Sequence, residues 1–171
     1  MVDKVTIKEL LSYRISSVAN SMSRGAATEF KKRFNITLGE WRVLGLLGEA
    51  QPRSVMEVSR GANLDAGQTS RVVASLTQRG LLLRDEALGA GRPIMLTLTM
   101  EGEALYEKLI AVARARNDVF RTSLTPAELQ ALDRILGKLG KAAKSVAKGE
   151  VPLPGIDAID EEIPKKRRKA S

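Results

Sequence analysis

SVMEVSRGANLDAGQTSRVVASLTQRGLLLRDEALGAGR, residues 54–92, is the stretch on which the fold turns. Ser54-Val55-Met56-Glu57 has the S-x-x-E form in which a Ser caps the third backbone N–H while the Glu reaches back. Gly61-Ala62-Asn63 is expected to break that helix, because Gly takes left-handed backbone angles at little cost. Asp65-Ala66-Gly67-Gln68 then opens a second helix in the same manner. Two capped helices joined by a short Gly-containing turn are the local form of a helix-turn-helix. Gly80 stops the second helix. Beyond it, Leu81-Leu82-Leu83 and the alternating Ile94-Met95-Leu96-Thr97-Leu98 flank Gly89-Ala90-Gly91-Arg92. That pattern predicts a two-stranded wing with an arginine-bearing tip.

Outward from this centre, four more helix starts are marked by capping chemistry. Thr6-Ile7-Lys8-Glu9 is a box that should open a first helix running to about Phe34, with Leu10, Leu11, Ile15, Val18, Ala19 and Met22 at helical spacing. Thr37-Leu38-Gly39-Glu40 starts another, with Trp41, Leu44, Leu46 and Leu47 inside and Pro52 closing its exit. Thr99 is placed to cap a fifth. Thr125-Pro126-Ala127-Glu128 combines a box with Pro at the first helical position, ahead of an apolar stripe from Leu129, Leu132, Ile135, Leu136, Leu139 and Ala143. The expected fold is mainly α, an α+β winged helix of six helices and a two-stranded wing. Its expected divisions are a first dimerisation helix (1–35), a winged helix-turn-helix (36–100), C-terminal dimerisation helices (101–149) and a tail (150–171).

Composition narrows the chemistry. The 171 residues are 43% apolar, enough for a proper core, and contain neither Cys nor His. Disulfides, thiol sensing, thiolate or imidazole metal sites and the usual general base are thereby excluded. No catalytic residue, metal or cofactor is expected. Nothing at the first residues resembles a signal peptide and no apolar run approaches a membrane span, so a cytosolic protein without a membrane partner is the default. Asn35-Ile36-Thr37 matches a glycosylation acceptor, which without such a signal is a chance match. The net charge is +8, yet residues 36–102 carry seven Arg against seven Asp or Glu and no Lys. Arg presents a planar fork suited to guanine edges and phosphates, so the pattern favours placed contacts over an electrostatic blanket. In the tail, an acidic cluster precedes Lys165-Lys166-Arg167-Arg168-Lys169. This run reads as a solvated tail or as a source of sequence-independent phosphate contacts. It also resembles a nuclear localisation signal.

The order helix, helix, helix-turn-helix, wing and two long helices resembles the MarR family (multiple antibiotic resistance regulators). The local matches are Thr37 to Leu44, Asp65 to Arg71 before Val72-Val73-Ala74-Ser75-Leu76, Arg79-Gly80-Leu81-Leu82-Leu83-Arg84, and Leu98-Thr99-Met100-Glu101-Gly102 with Tyr106. Their order covers residues 7–147. The resemblance implies a dimeric DNA-binding transcriptional regulator. One departure stands out: the family's wing carries an Asp-Arg-Arg-like triplet where this chain reads Ala90-Gly91-Arg92, so only the last Arg is kept.

A helix in the major groove reads bases with side chains near its N-terminus, and its backbone N–H groups meet phosphate. The candidates are Ala66, Gly67, Gln68, Ser70 and Arg71. Gln68 either pairs with adenine or serves the capping box, and Gly67 either admits close approach of DNA or is merely tolerated. Arg71 grips guanine or phosphate, unless it forms a surface salt bridge. Asp65 reads as a cap, and Thr69, Val72, Val73 and Leu76 as core. Arg53 and Ser54, at the start of the third helix, are placed beside the DNA backbone. From the wing, the resemblance implies minor-groove insertion by Arg92 next to Gly91, with Arg84 bracing the wing base.

The first, fifth and sixth helices carry more apolar surface than one winged helix needs. A homodimer on a palindromic double-stranded operator is the expected use, with Leu10, Leu11, Leu129, Leu132, Ile135 and Leu136 in the interface. The resemblance further implies a small aromatic acid effector. Arg14, Ser17, Ser21, Arg24, Trp41 and Arg42 are the residues that suit it, Arg pairing the carboxylate and Trp stacking the ring. Against that stand a core Trp41 and solvated arginines. The function expected is a dimeric repressor of nearby genes released by such a ligand. The alternative is a constitutive or architectural DNA binder without effector.

Overall fold

The computed structural model describes residues 5–85 and 93–154. Gly91, Arg92, the expected wing tip and the basic run lie outside the described residues. The chain divides into two compact units, residues 1–118 and 119–171. In the described residues there are six helices and a small antiparallel sheet: α1 (Leu11–Phe34), α2 (Leu38–Glu49), β1 (Arg53–Ser54), α3 (Val55–Ala62), α4 (Ala66–Gln78), β2 (Leu82–Asp85), β3 (Met95–Leu98), α5 (Met100–Thr122) and α6 (Pro126–Ala147). The mainly α winged helix read from the sequence is the fold observed.

Capping fixes most helix starts. Thr37, Ser54, Asp65 and Thr125 each accept from the backbone N–H three residues on, and the Glu or Gln there reaches back. Two expectations are corrected. The Thr6–Glu9 box heads only a 3-10 turn, Ile7–Glu9; Leu10 is extended at ψ 130°, so α1 starts at Leu11 and is 24 residues long. Gly61 does not break α3. It lies inside the helix where α3 packs on α2, and a Cβ there would meet Leu46 Cδ1 at 2.9 Å. Asn63 makes the turn instead, at φ 53°, a conformation Asn tolerates. The two-stranded wing is present as β2 and β3, and β1 adds a third strand to its sheet, in the order β1-β3-β2. Arg53 pairs with Leu96 and Ser54 with Met95. Two residues are too few for strand alternation to show in a sequence.

One core fills the first unit. Phe30, Ile36, Val43, Leu44, Leu47, Val58, Val73, Leu76, Leu82, Leu96, Leu98 and Leu109 are all buried, so α1 enters it only by its last turns. The apolar residues near the start of α1 stay outside, Leu10, Leu11 and Val18 among them. In the second unit α6 buries none of its residues.

The base of the wing is bolted to α5. Gly80, at φ 68°, turns the chain out of α4. The Thr99 hydroxyl donates to Gly80 O at 2.7 Å and accepts from Gly102 N–H at 3.0 Å, while Thr99 N–H donates to Leu81 O at 3.3 Å. Gly102 lies so close that a Cβ would come within 2.1 Å of Leu81 O. Backbone cannot yield there as a side chain would. Gly102→Ala is accordingly expected to destabilise the protein by about 1–3 kcal/mol, the usual cost of overpacking, in spite of the ~1 kcal/mol gain in helix propensity. Urea denaturation checks it; a variant as stable as the parent would show that the joint yields.

Candidate nucleic-acid interface

α4 presents one face and buries the other. Thr69, Val73 and Leu76 are 1%, 3% and 0% exposed, whereas Ala66, Gly67, Gln68, Ser70, Arg71 and Ala74 are exposed. This is the 3.6-residue period at work: inward positions recur at i, i+4 and i+7. Helix geometry leaves the N–H groups of Ala66 and Gly67 without intrahelical acceptors, the usual seat of an anion. Asp65 is the cap, its Oδ1 accepting from Gln68 N–H at 2.7 Å. Gln68 Oε1 accepts in turn from Asp65 N–H at 3.1 Å. A two-bonded pairing of Gln68 with adenine uses both ends of the amide, so its Oε1 would have to share its acceptor capacity with the box. Arg71 forms no ion pair among the described residues; a Cβ on Gly67 would lie 3.5 Å from its Nη1. Ala74 continues the outward face and was missed in the sequence, although its place one turn after Ser70 and Arg71 could have shown it.

The flanking candidates divide by what already holds them. Arg53 Nε donates to Ala50 O at 2.9 Å, closing the turn into β1. The Ser54 hydroxyl is committed to its cap, donating to Glu57 Oε2 at 2.7 Å and accepting from Glu57 N–H at 3.2 Å. Arg84 is exposed on β2 opposite Leu96. It lines, with Met56, Ser59, Ala66, Ser70 and Ile94, a mainly apolar open groove of about 510 Å³ between α3, α4 and the wing base.

The residues suggested for an effector are not gathered together. Arg14, Ser17, Ser21 and Arg24 are exposed along α1, and Arg14 and Arg24 lie about 15 Å apart along the axis at 1.5 Å per residue. Arg24 Nη2 donates to Ser21 Oγ at 3.0 Å. Trp41 packs on Phe30, ring centroids 4.9 Å apart and tilted by 40°, against the core. Arg42 Nη1 donates to Ala62 O at 3.4 Å, placing a cation at the C-terminal end of α3. None of the six lines the groove behind α4.

Beneath α4 lies a charged group whose reach to a second helix its capping-box motif does not reveal. Glu40 is 4% exposed. Its Oε2 accepts from the Thr37 N–H at 2.8 Å and hydroxyl at 2.9 Å; its Oε1 accepts from Ser75 Oγ at 2.7 Å and Arg79 Nη1 at 3.1 Å. Burial works against its ionisation, but the Thr37 N–H, the Ser75 and Thr37 hydroxyls and the Arg79 charge outweigh it and hold the carboxyl below its ordinary value of 4.5.

A helix-turn-helix whose second helix shows a bare N-terminal turn, followed by a small antiparallel wing, defines a winged-helix DNA-binding protein. The MarR family model matches residues 34–92. The HTH-type transcriptional repressor Mb2911 of Mycobacterium bovis is 28% identical over 130 residues, 76% of this chain and 91% of that one. The crystal structure of a MarR/EmrR family transcriptional regulator from Acinetobacter sp. ADP1 superposes with a TM-score of 0.75 at 26% identity, covering 82% of this chain and 99% of that one. The MarR family protein Rv2887 of Mycobacterium tuberculosis, in complex with salicylic acid, superposes with a TM-score of 0.61 at 25% identity over 81% and 99%. This chain is similar to MarR-family proteins in its fold and, over residues 34–92, in its sequence, and the likeness supports a DNA-binding transcriptional regulator. Among the described residues no helix is long and apolar enough to cross a membrane.

Glu40 also yields a pH dependence. A carboxyl with a folded-state pKa below its unfolded one adds stability above the unfolded value, and that stability is lost as pH falls through the folded pKa. The Glu40→Gln variant should therefore melt lower than the parent at neutral pH, and the gap should narrow as pH drops below 4.5. Thermal melts across that interval test it; a constant gap would mean that Glu40 is not ionised in the fold.

Proposed function

We propose that this regulator acts as a two-fold dimer that holds two α4 helices against successive major grooves of a palindromic operator, repressing nearby genes until a small aromatic carboxylate releases it. The observation that carries the DNA reading is the exposed first turn of α4, with Ala66, Gly67, Gln68, Ser70 and Arg71 outward on a helix packed by its other face. Arg71 is the base-reading or phosphate-gripping cation and Arg53 a backbone contact. Ser54 and Arg84 flank them, Ser54 at the start of α3 and Arg84 on β2. Arg92, next to Gly91, is proposed for the minor groove on family likeness alone.

The dimer is supported by apolar surface that the single chain leaves open. Leu10 and Leu11 are 47% and 56% exposed, and Leu132, Ile135 and Leu136 of α6 are 41%, 50% and 47% exposed. A second copy supplies the same surface to cover them. Repression is suggested by the Mycobacterium bovis relative, a transcriptional repressor, and an aromatic carboxylate by the salicylic acid in the Rv2887 complex. Arg14, Ser17, Ser21, Arg24, Trp41 and Arg42 are not assembled within one chain, so an effector site built from them needs the partner subunit. That same scatter favours the second reading, a constitutive DNA binder without effector. A cytoplasmic place of action fits a DNA partner.

A mobility-shift assay on the DNA upstream of its own gene, with and without salicylate and related aromatic acids, separates the two readings: ligand-induced release supports the first, and its absence across the panel the second. Arg71→Ala should weaken specific binding by about 1–3 kcal/mol and relax sequence preference, as for a lost bidentate base contact. An equal loss on all sequences would make Arg71 a phosphate contact. Light scattering at micromolar concentration should give twice the chain mass, and Leu132→Glu with Leu136→Glu should halve it. A monomeric parent protein would remove the two-fold arrangement.

A further inference from the structure

The end of α4 remote from its exposed first turn carries more bonds than a helix needs in order to stop. Its closure is local: Arg79 N–H donates to Ser75 O, Gly80 N–H to Thr77 O, and Leu81 N–H to Leu76 O at 3.0 Å. Two further sets of bonds leave these three residues for other helices. Arg79 Nη1 donates to Asn35 O at 3.3 Å, just past the end of α1, and to Glu40 Oε1 at 3.1 Å in α2. On the other side Gly80 O and Leu81 O accept from the Thr99 hydroxyl and N–H, where Gly102 seats the first turn of α5 against the Leu81 carbonyl. The last turn of α1 is itself pinned, since Asn35 N–H donates to Lys31 O and Ile36 N–H to Phe30 O.

The N-terminal half of α4 is held differently. Its cap is internal, from Asp65 and Gln68, and its packing is apolar, as where Val72 Cγ2 would lie 3.2 Å from a Cβ on Gly39. Apolar contact is non-directional and tolerates small tilts, whereas hydrogen bonds and ion pairs fix angles. The helix is thus clamped by polar bonds at one end and cushioned at the other. At 13 residues it is about 20 Å long, so a tilt of about 5° at the clamp moves the other end by about 2 Å. A base contact does not survive such a displacement.

We propose that Arg79, Glu40 and Thr99 are positioning residues through which the end of α1 and the start of α5 set the orientation of α4, and that they determine which half-site spacing the dimer accepts. This rests on the two-half-site reading above. No residue of the clamp touches DNA; each acts through the helix it holds.

The test uses the full chain and a palindromic duplex selected by the parent protein from a random-sequence pool. Binding is measured to that duplex, to the same duplex with one base pair inserted between its halves, and to a single half. The parent should lose at least about tenfold on the insertion, the discrimination a fixed pair of helices gives. Arg79→Ala and Thr99→Val should bring the ratio between the two duplexes towards one, while half-site affinity stays within about twofold, and Thr99→Ser should restore it. An unchanged ratio in both variants overturns the clamp, as does an equal loss on all three duplexes, which marks a stability defect only. A parent that ignores the insertion overturns the two-half-site reading itself. Thr99→Val, which retains shape and removes only the hydroxyl, keeps the experiment decisive if Arg79→Ala does not fold.

Discussion

A single buried carboxylate does the work of a joint in this protein. Glu40 begins as the third residue of α2 in an ordinary capping box and ends as the acceptor for Ser75 and Arg79 from α4. A charge placed there without partners would cost several kcal/mol in desolvation. With four bonds from three residues, both of its oxygens are satisfied. Removing any partner leaves the rest of a buried charged group unmet, so the site is tied to one packing of α2 against α4. The core then packs around that arrangement, with Leu44 and Leu47 from one helix and Val73 and Leu76 from the other wholly or almost wholly buried.

From this joint the two faces of α4 acquire their roles. The face that meets the core is closed by apolar contact, and the face turned away is left bare by the same helical period. The sheet serves the arrangement rather than adding a second core: Leu82, Leu96 and Leu98 point into the common interior while Leu83 and Arg84 stay outside. The capping boxes at Ser54 and Asp65 define where α3 and α4 begin, so the turn between them has little freedom.

What could be read beforehand was what is local. Capping boxes, Gly80 and the alternation of the second wing strand involve residues a few positions apart, and they located five of the six helices and the wing. The starting point of α1 slipped because a capping box says where a turn begins, not whether the turn continues. The α3 terminus slipped because Gly61 suits a turn and close packing equally well, and only the approach of Leu46 decides between them. β1 escaped because its partner strand is about 40 positions away. The Glu40–Arg79 pair, 39 positions apart, leaves no periodic trace either. Of the interface, the outward residues of α4 were legible from helical spacing. The commitments of Ser54 and Arg42 were not, since a hydroxyl or guanidinium reads the same whether its partner is solvent, DNA or a carbonyl of its own chain.

The exposed face of α4 is built mostly from small side chains. Ala66, Gly67 and Ala74 have no rotamers to lose on contact, whereas an ordered Arg loses up to ~2 kcal/mol of side-chain entropy. Most of this face thus meets a surface at almost no ordering cost, and Gln68 and Arg71 alone carry long, adaptable groups. A protein of this kind is retargeted more readily by addition than by removal. With α4 in the groove as proposed above, a larger residue at Ala66 or Ala74 would act as a steric veto on some base steps and a new contact on others, without disturbing the packed side of the helix.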